Sequence, residues 1–230
     1  SVLGERQHAT RQMYDWRDCA LYALAVGMGS DPLDEDELAF VYEGRMQKIL
    51  PSLCVTLAWL PAWHDDPALG IAWPHVLHGE QRIELHRPLD LQGEVAASHE
   101  LLAVEDKGPG RGAILHVRSI LRDESNASVI ATLHATHFLR RDGGSGCYGD
   151  PPSPLADLPS DARPDASVTF GTLPQAALLY RLASRDLVAL HADPAVARAA
   201  GFRRPIAHGL ATLGLACRVV VGHALMWQPE

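Results

Sequence analysis

Lysine is almost missing from this chain: Lys48 and Lys107 are the only two in 230 residues, and arginine carries the rest of the positive charge. Acidic residues outnumber basic ones by 28 to 20, for a formal net charge of -8. That balance argues against general attraction to nucleic acid or to an anionic membrane, so neither is expected as a partner. Cysteine is scarce and scattered. Cys19, Cys54, Cys147 and Cys217 form no CxxC pair and no zinc-ligand spacing, which points to a reduced, cytoplasmic protein without a structural metal. Long apolar runs are also lacking. The longest, Leu210 to Met226, is broken by Arg218 and His223, and the first residues, SVLGERQHATRQMYDW, have no apolar centre flanked by positive charge. No signal peptide and no membrane span are therefore expected. What the chain does have is 47% hydrophobic residues, ample for one large core or two small ones.

Periodicity organises the chain. Asp15 to Val26 places Trp16, Cys19, Ala20, Ala23 and Leu24 at helical spacing, with Asp15 as cap and Gly27 as stop. SDPLDEDEL reads as a polar loop, and LPSLCVTLAWLPAW mixes strand and helix signals. From His78 to Arg140 the period changes to two, through Arg82–His86, Ala113–Val117 and Ser128–Thr136, with turns at GPGRG (Gly108–Gly112) and DESNAS (Asp123–Ser128). A helix followed by long antiparallel strands is an α+β arrangement in which the sheet wraps the helix.

Residues 143–163 are dense in Gly, Pro, Ser and Asp without apolar period, and read as a linker. The theme then restarts. Ser167–Phe170 reads as a short strand, Thr172 as the cap of a helix through Leu182 with Pro174 in its first turn, and Asp193-Pro194 as the start of a short helix ended by Gly201. A last helix, about His208 to Ala224, sets Leu210, Leu213, Cys217, Val220, Val221 and Ala224 on one apolar face. It is built for burial, yet no covering strands follow it, which predicts a truncated second repeat or a fold completed by a neighbouring surface.

Chemistry concentrates between Tyr180 and Gly214. Asp186 lies five residues before His191 in a segment broken by Gly201, Pro205 and Gly209. Taken alone, each of the pair has an ordinary structural explanation as a cap or turn former, and His208-Gly209 can be no more than a tight helix entry. Together they are the parts needed to move a proton beside the positive end of a helix, where an oxyanion is stabilised.

The string Y-R-L-x-S-x-D-x-x-x-L-H-x-D-P-x-x-A-x-x-A-G-F-x-x-P-I-x-H-G-L-x-T-x-G resembles the signature of the MaoC-like, (R)-specific type-2 enoyl-CoA hydratases. The likeness extends into the first half through YDWRDCALYALAVGMG, VLHGEQRIELHRPL and DKGPGRGAIL. It implies a double hot-dog fold: two repeats of a long antiparallel sheet wrapped round a central helix, here 1–142, a linker 143–163 and the start of a second repeat at 164–230. It implies reversible syn hydration of trans-2-enoyl-CoA to (R)-3-hydroxyacyl-CoA, with no cofactor, an acyl-CoA thioester as partner molecule and a homodimeric assembly. Asp186 and His191 match the catalytic pair, and Gly209 matches the glycine whose N–H faces the thioester carbonyl. Leu187, Val188, Ala189 and Leu190 match the segment lining the acyl-CoA site, while His78, Gly79 and Lys107 match substrate-contacting positions of the first repeat. The family's loop reads G-D-x-N-P-L-H, whereas here Arg185, Val188 and Ala189 replace its Gly, Asn and Pro. An acyl-CoA-binding protein of weakened activity and a hot-dog thioesterase are the competing readings.

Overall fold

A computed structural model describes residues 8–57, 69–72, 75–156 and 159–229. The first helix forms as its sequence dictates. Asp15 caps α1 (Trp16–Ala25), accepting from the N–H groups of Arg17 and Asp18 while the Asp18 carboxylate accepts from the N–H of Asp15, so two of the donors a helix start leaves unpaired are satisfied reciprocally. Gly27, at φ +88°, ends it. Tyr22, Ala23 and Val26 face inward.

Around α1 curls an antiparallel sheet of β1 (His8–Tyr14), β2 (Val76–Leu85), β3 (Gly93–Asp106), β4 (Ala113–Asp123), β5 (Val129–Leu139) and a two-residue β6 (Tyr148–Gly149). The order is β1-β3-β4-β5-β2, with β6 continuing the edge of β3 that β1 occupies. Val95, Ala97, Leu121, Ile130, Ala131 and Leu133 join Tyr22, Val26, Phe40 and Leu53 in one core, and Ala113, Leu115, Val117 and Leu139 make a second, smaller cluster. This is the helix-in-sheet arrangement implied for the first repeat. Among the described residues β3 is the longest strand, and its sequence signal is weak: GEVAASHELLAVED is rich in Ala and Glu, and a register shift between Leu101 and Ala103 interrupts its alternation.

Several expectations are corrected. The SDPLDEDEL loop contains a short helix, α2 (Glu35–Leu38), because Asp34 accepts from the N–H groups of Asp36 and Glu37. Ser167–Phe170 forms no strand among the described residues; four residues without a pairing neighbour gain no ladder bonds, and Phe170 instead lies under the Arg218 guanidinium, 5.3 Å from its ring centroid. Thr172 caps nothing, since α3 (Ala176–Ser184) begins after Gln175 without a side-chain cap. In LPSLCVTLAWLPAW, Pro51–Val55 is a 3-10 helix, and the residues from 58 onward lie outside the described ones. The start of segment 143–163, expected to be a linker, is pinned to the sheet: Asp106 accepts from the N–H groups of Gly144 and Gly146, and Tyr148 and Gly149 pair with Val104 and Ala103.

The last third lays three helices against the first two. α3 packs on α1, where the Tyr22 and Tyr180 rings sit 6.0 Å apart. α4 (Pro194–Ala199) is capped by Asp193 and followed by Gly201 at φ +91°. α5 (Gly209–His223) crosses β2 and the 3-10 helix. Its face is narrower than the sequence implies: Leu210, Gly214 and Val221 are buried, while Val220 is half exposed.

Candidate active site

α3 ends at Ser184, whose Oγ donates to the Tyr180 carbonyl at 2.7 Å and accepts from the Asp186 N–H at 3.2 Å. Between them Arg185 takes φ +59°, turning the chain sharply so that the Asp186 side chain points inward, only 8% exposed. Asp186 Oδ1 accepts from the Val188 N–H at 3.2 Å, an Asx turn that fixes the carboxylate and leaves Oδ2 free to face the site.

His191 ends a 3-10 turn (Ala189–His191). Its Nδ1 lies 2.9 Å from the Ile206 carbonyl oxygen, which can only accept, so Nδ1 carries the proton and Nε2 presents a lone pair. The His191 ring stacks on that of His208, with centroids 3.7 Å apart and planes at 22°. His208 is 2% exposed, packs 5.0 Å from Tyr180, and brings Nε2 to 3.9 Å from Asp186 Oδ2, too far for a direct hydrogen bond. Neither ring nitrogen has a hydrogen-bond partner within 3.5 Å, although the Asp186 backbone lies close enough to act on the ring. Burial, then the neighbouring His191, pushes the His208 imidazole down to about 3, so it is neutral at physiological pH.

Gly209 follows as the first residue of α5, where helix geometry leaves the N–H without an intrahelical acceptor. A Cβ there would meet only the carbonyl oxygen and Cβ of His78 at 3.7 and 3.8 Å. His78 comes from β2 at a bulge: it pairs with His137 of β5, Glu80 pairs with Thr136, and Gly79 is the extra residue between. The His78 and His137 rings meet edge to face at 5.0 Å. Burial lowers the His78 pKa.

These residues line a cavity of about 230 Å³ whose walls include Leu77, His78, His137, Asp186, Val188, Leu190, His191, Ile206, His208 and Gly209. Of the site residues expected from sequence, Asp186, His191, Val188, Leu190, Gly209 and His78 are brought together. Leu187, 59% exposed, and Ala189 point away, because successive residues of the loop alternate between cavity and solvent. Gly79 is exposed as the bulge residue. Lys107 lies at the β3–β4 turn, where its Nζ donates to Glu105 Oε2 at 2.8 Å. His208 and His137 were not among the expected residues. The position of His208 beside Gly209 was the one available signal for it, and nothing in the sequence pairs His137 with His78.

The chain matches the family model described as MFE-2 hydratase 2 N-terminal domain over residues 13–141 and the one described as MaoC like domain over residues 155–226. It is 36% identical over 235 residues to the peroxisomal enoyl-CoA hydratase 2 of Arabidopsis thaliana, a match covering 96% of this chain and 75% of that one. The crystal structure of a MaoC-like dehydratase from Phytophthora capsici superposes with a TM-score of 0.78 at 28% identity, covering 96% of this chain and 76% of that one. A Mycobacterium tuberculosis protein with a double hot-dog fold superposes with a TM-score of 0.56 at 18% identity, covering 97% of this chain and 75% of that one, a likeness of fold alone.

Proposed function

Since this chain belongs to the MaoC-like, (R)-specific type-2 enoyl-CoA hydratase family, with its double hot-dog fold, we propose that it catalyses reversible syn hydration of trans-2-enoyl-CoA to (R)-3-hydroxyacyl-CoA. One observation carries the assignment of the residues: Asp186 and His191 converge on a single cavity at the start of α5, beside the Gly209 N–H. Water supplies both new bonds, its oxygen to the β-carbon and a hydrogen to the α-carbon. Asp186 Oδ2 and His191 Nε2 hold the water. Its proton passes to the pair, which returns one to the α-carbon on the same face, a transfer typically contributing about 10²–10⁴-fold. Charge develops meanwhile on the thioester oxygen. The Gly209 N–H, at the positive end of a 15-residue helix, is placed to receive it, a contribution on the order of 10²–10³ in rate.

Val188 and Leu190, with His78 beside them, form the wall against which the enoyl group lies, and its apolar side chains keep bulk water from competing with the one held for reaction. Lys107 lies outside the cavity, so its proposed contact is the distal, phosphate-bearing part of the substrate. Division into a first repeat, a linker and a second repeat belongs to the same reading, as does a homodimer, checked by light scattering. The proposed setting is the reducing cytoplasm, supported by four free cysteines. Among the described residues no helix is long and apolar enough to cross a membrane.

Crotonyl-CoA tests the reaction. Loss of the conjugated-thioester absorbance without free thiol is expected; thiol release would mean a thioesterase, and binding with neither change would mean an acyl-CoA-binding protein. Asp186→Asn should lower the hydration rate by about 10²–10⁴-fold with the fold intact, and an unchanged rate would remove Asp186 from the mechanism.

A further inference from the structure

His208 stands at the N-cap of α5, buried, yet its side chain makes no capping bond to the helix. Ser, Thr, Asp and Asn are the residues that stabilise a helix from this position, so the imidazole serves another purpose. Its ring contacts show which. It stacks on the His191 ring, centroids 3.7 Å apart and planes at 22°, and the Tyr180 ring lies 5.0 Å away. Tyr180 is buried in turn and meets Tyr22 of α1 at 6.0 Å, so a row of rings ties His208 to the core. His191 needs such a support. The outer torsion of a histidine is broad, without steep staggered wells. The bond from Nδ1–H to the Ile206 carbonyl, 2.9 Å, decides which nitrogen faces the cavity, but it is a single contact in the ring plane about which the ring is free to tilt. Contact across the ring face removes that tilt.

We propose that His208 is a positioning residue: its ring face clamps the plane of His191, so that Nε2 of His191 stays aimed at the water it shares with Asp186. The clamp stands on the geometry alone, whereas its effect on rate rests on the hydration proposed above. Misplacing a reacting group by about 1 Å costs on the order of 10²-fold, which sets the size of the effect. The chemistry suits a neutral ring at this place. Burial, then the neighbouring His191, keeps His208 uncharged, so a proton taken up by His191 meets a ring face and not a second cation.

Three replacements separate the ring face from its nitrogens. His208→Phe keeps the face and drops the nitrogens, with the adjoining cavity giving the larger ring room; His208→Gln keeps a polar nitrogen without the face, and His208→Leu keeps neither. With crotonyl-CoA, His208→Phe should hold kcat within about threefold of the unsubstituted chain, while the Gln and Leu variants lose about 100-fold. KM should move by less than about threefold in all three, since a group that acts only on the transition state leaves substrate binding unchanged. Activity kept by Gln and lost by Phe would assign the role to the nitrogens and overturn the clamp, as would equal rates in the three variants, high or low. NMR of the unsubstituted chain reads the clamp without any variant. Ring protons of His191, lying over the His208 face, should resonate upfield of free imidazole and show nuclear Overhauser contacts to the His208 ring; their absence overturns the proposal. If those contacts are present in a chain that does not hydrate crotonyl-CoA, the clamp is supported and its link to catalysis is overturned.

Discussion

Arg185 and His208 show how much single residues bear at this site. Arg185 occupies a left-handed conformation, φ +59°, at the position where the family carries glycine; a side chain there costs about 1 kcal/mol or more. Its guanidinium offsets part of this by reaching Asp18 at 3.2 Å, an exposed pair worth about 0–1 kcal/mol. Arg185→Gly should therefore raise stability by up to about 1 kcal/mol in urea denaturation; a loss of that size would show that the tie to α1 outweighs the strain. His208 makes stability depend on acid. Its folded-state pKa of about 3 lies below the ordinary 6.5, chiefly through burial, so between those values the unfolded chain binds the extra proton. Stability is then full above about pH 6.5 and falls toward pH 3, at up to about 1.4 kcal/mol per pH unit. Urea midpoints measured across this window should flatten in His208→Gln. Asp106 acts lower: backbone donors at Gly144, Gly108 and Gly146 hold its carboxyl at about 2 instead of 3.8, so its contribution is lost only as pH falls through that lower range.

Among the elements, α1 and α5 are positioned by different causes, one local and one not. The reciprocal Asp15–Asp18 cap sets the start of α1, and Asp15→Ala should cost about 1 kcal/mol, measurable as a lower urea midpoint at constant slope. α5 depends on a contact that sequence spacing does not reveal. A Cβ on Gly214 would lie 2.5 Å from Val26 Cγ1 and 2.9 Å from Tyr22 Oη, so α5 can approach α1 only through a glycine. Gly214→Ala should destabilise by about 1–3 kcal/mol through overpacking and, by displacing α5, reduce hydration as well; an unchanged melting temperature would mean the helices part without cost. The caps at Asp15 and Asp193, the hairpin turns and the strands with clean alternation were legible in the sequence because they depend on neighbours along the chain, whereas the Thr172 cap was not formed. β3 was not, since its Ala and Glu are stabilised by β1 and β4 on either side.

Across the whole molecule, one buried ion pair joins the end of the chain to its beginning. Arg218 of α5 donates its Nε–H to Glu37 of α2 at 2.6 Å, both side chains largely buried, and Glu37 also accepts from the Gly29 N–H. Arg218→Ala leaves the carboxylate buried and should cost about 3–5 kcal/mol. Adding Glu37→Gln should recover part of that loss, a coupling that a double-mutant cycle in urea would read directly; strict additivity would mean the pair does not hold the two halves together.

The sequence by itself determined the α+β class, the caps at Asp15 and Asp193 and the hairpin turns, because each follows from side chains acting on nearby backbone. The Asp186/His191 pair was singled out by the family resemblance and not by its spacing alone. Tertiary structure decided which loop residues face inward, that Lys107 lies outside the cavity with Glu105, and that His208, just before α5, and the His78–His137 pair from two strands join the site. Those contacts link residues far apart in the chain, and only packing α5 across β2 brings them together.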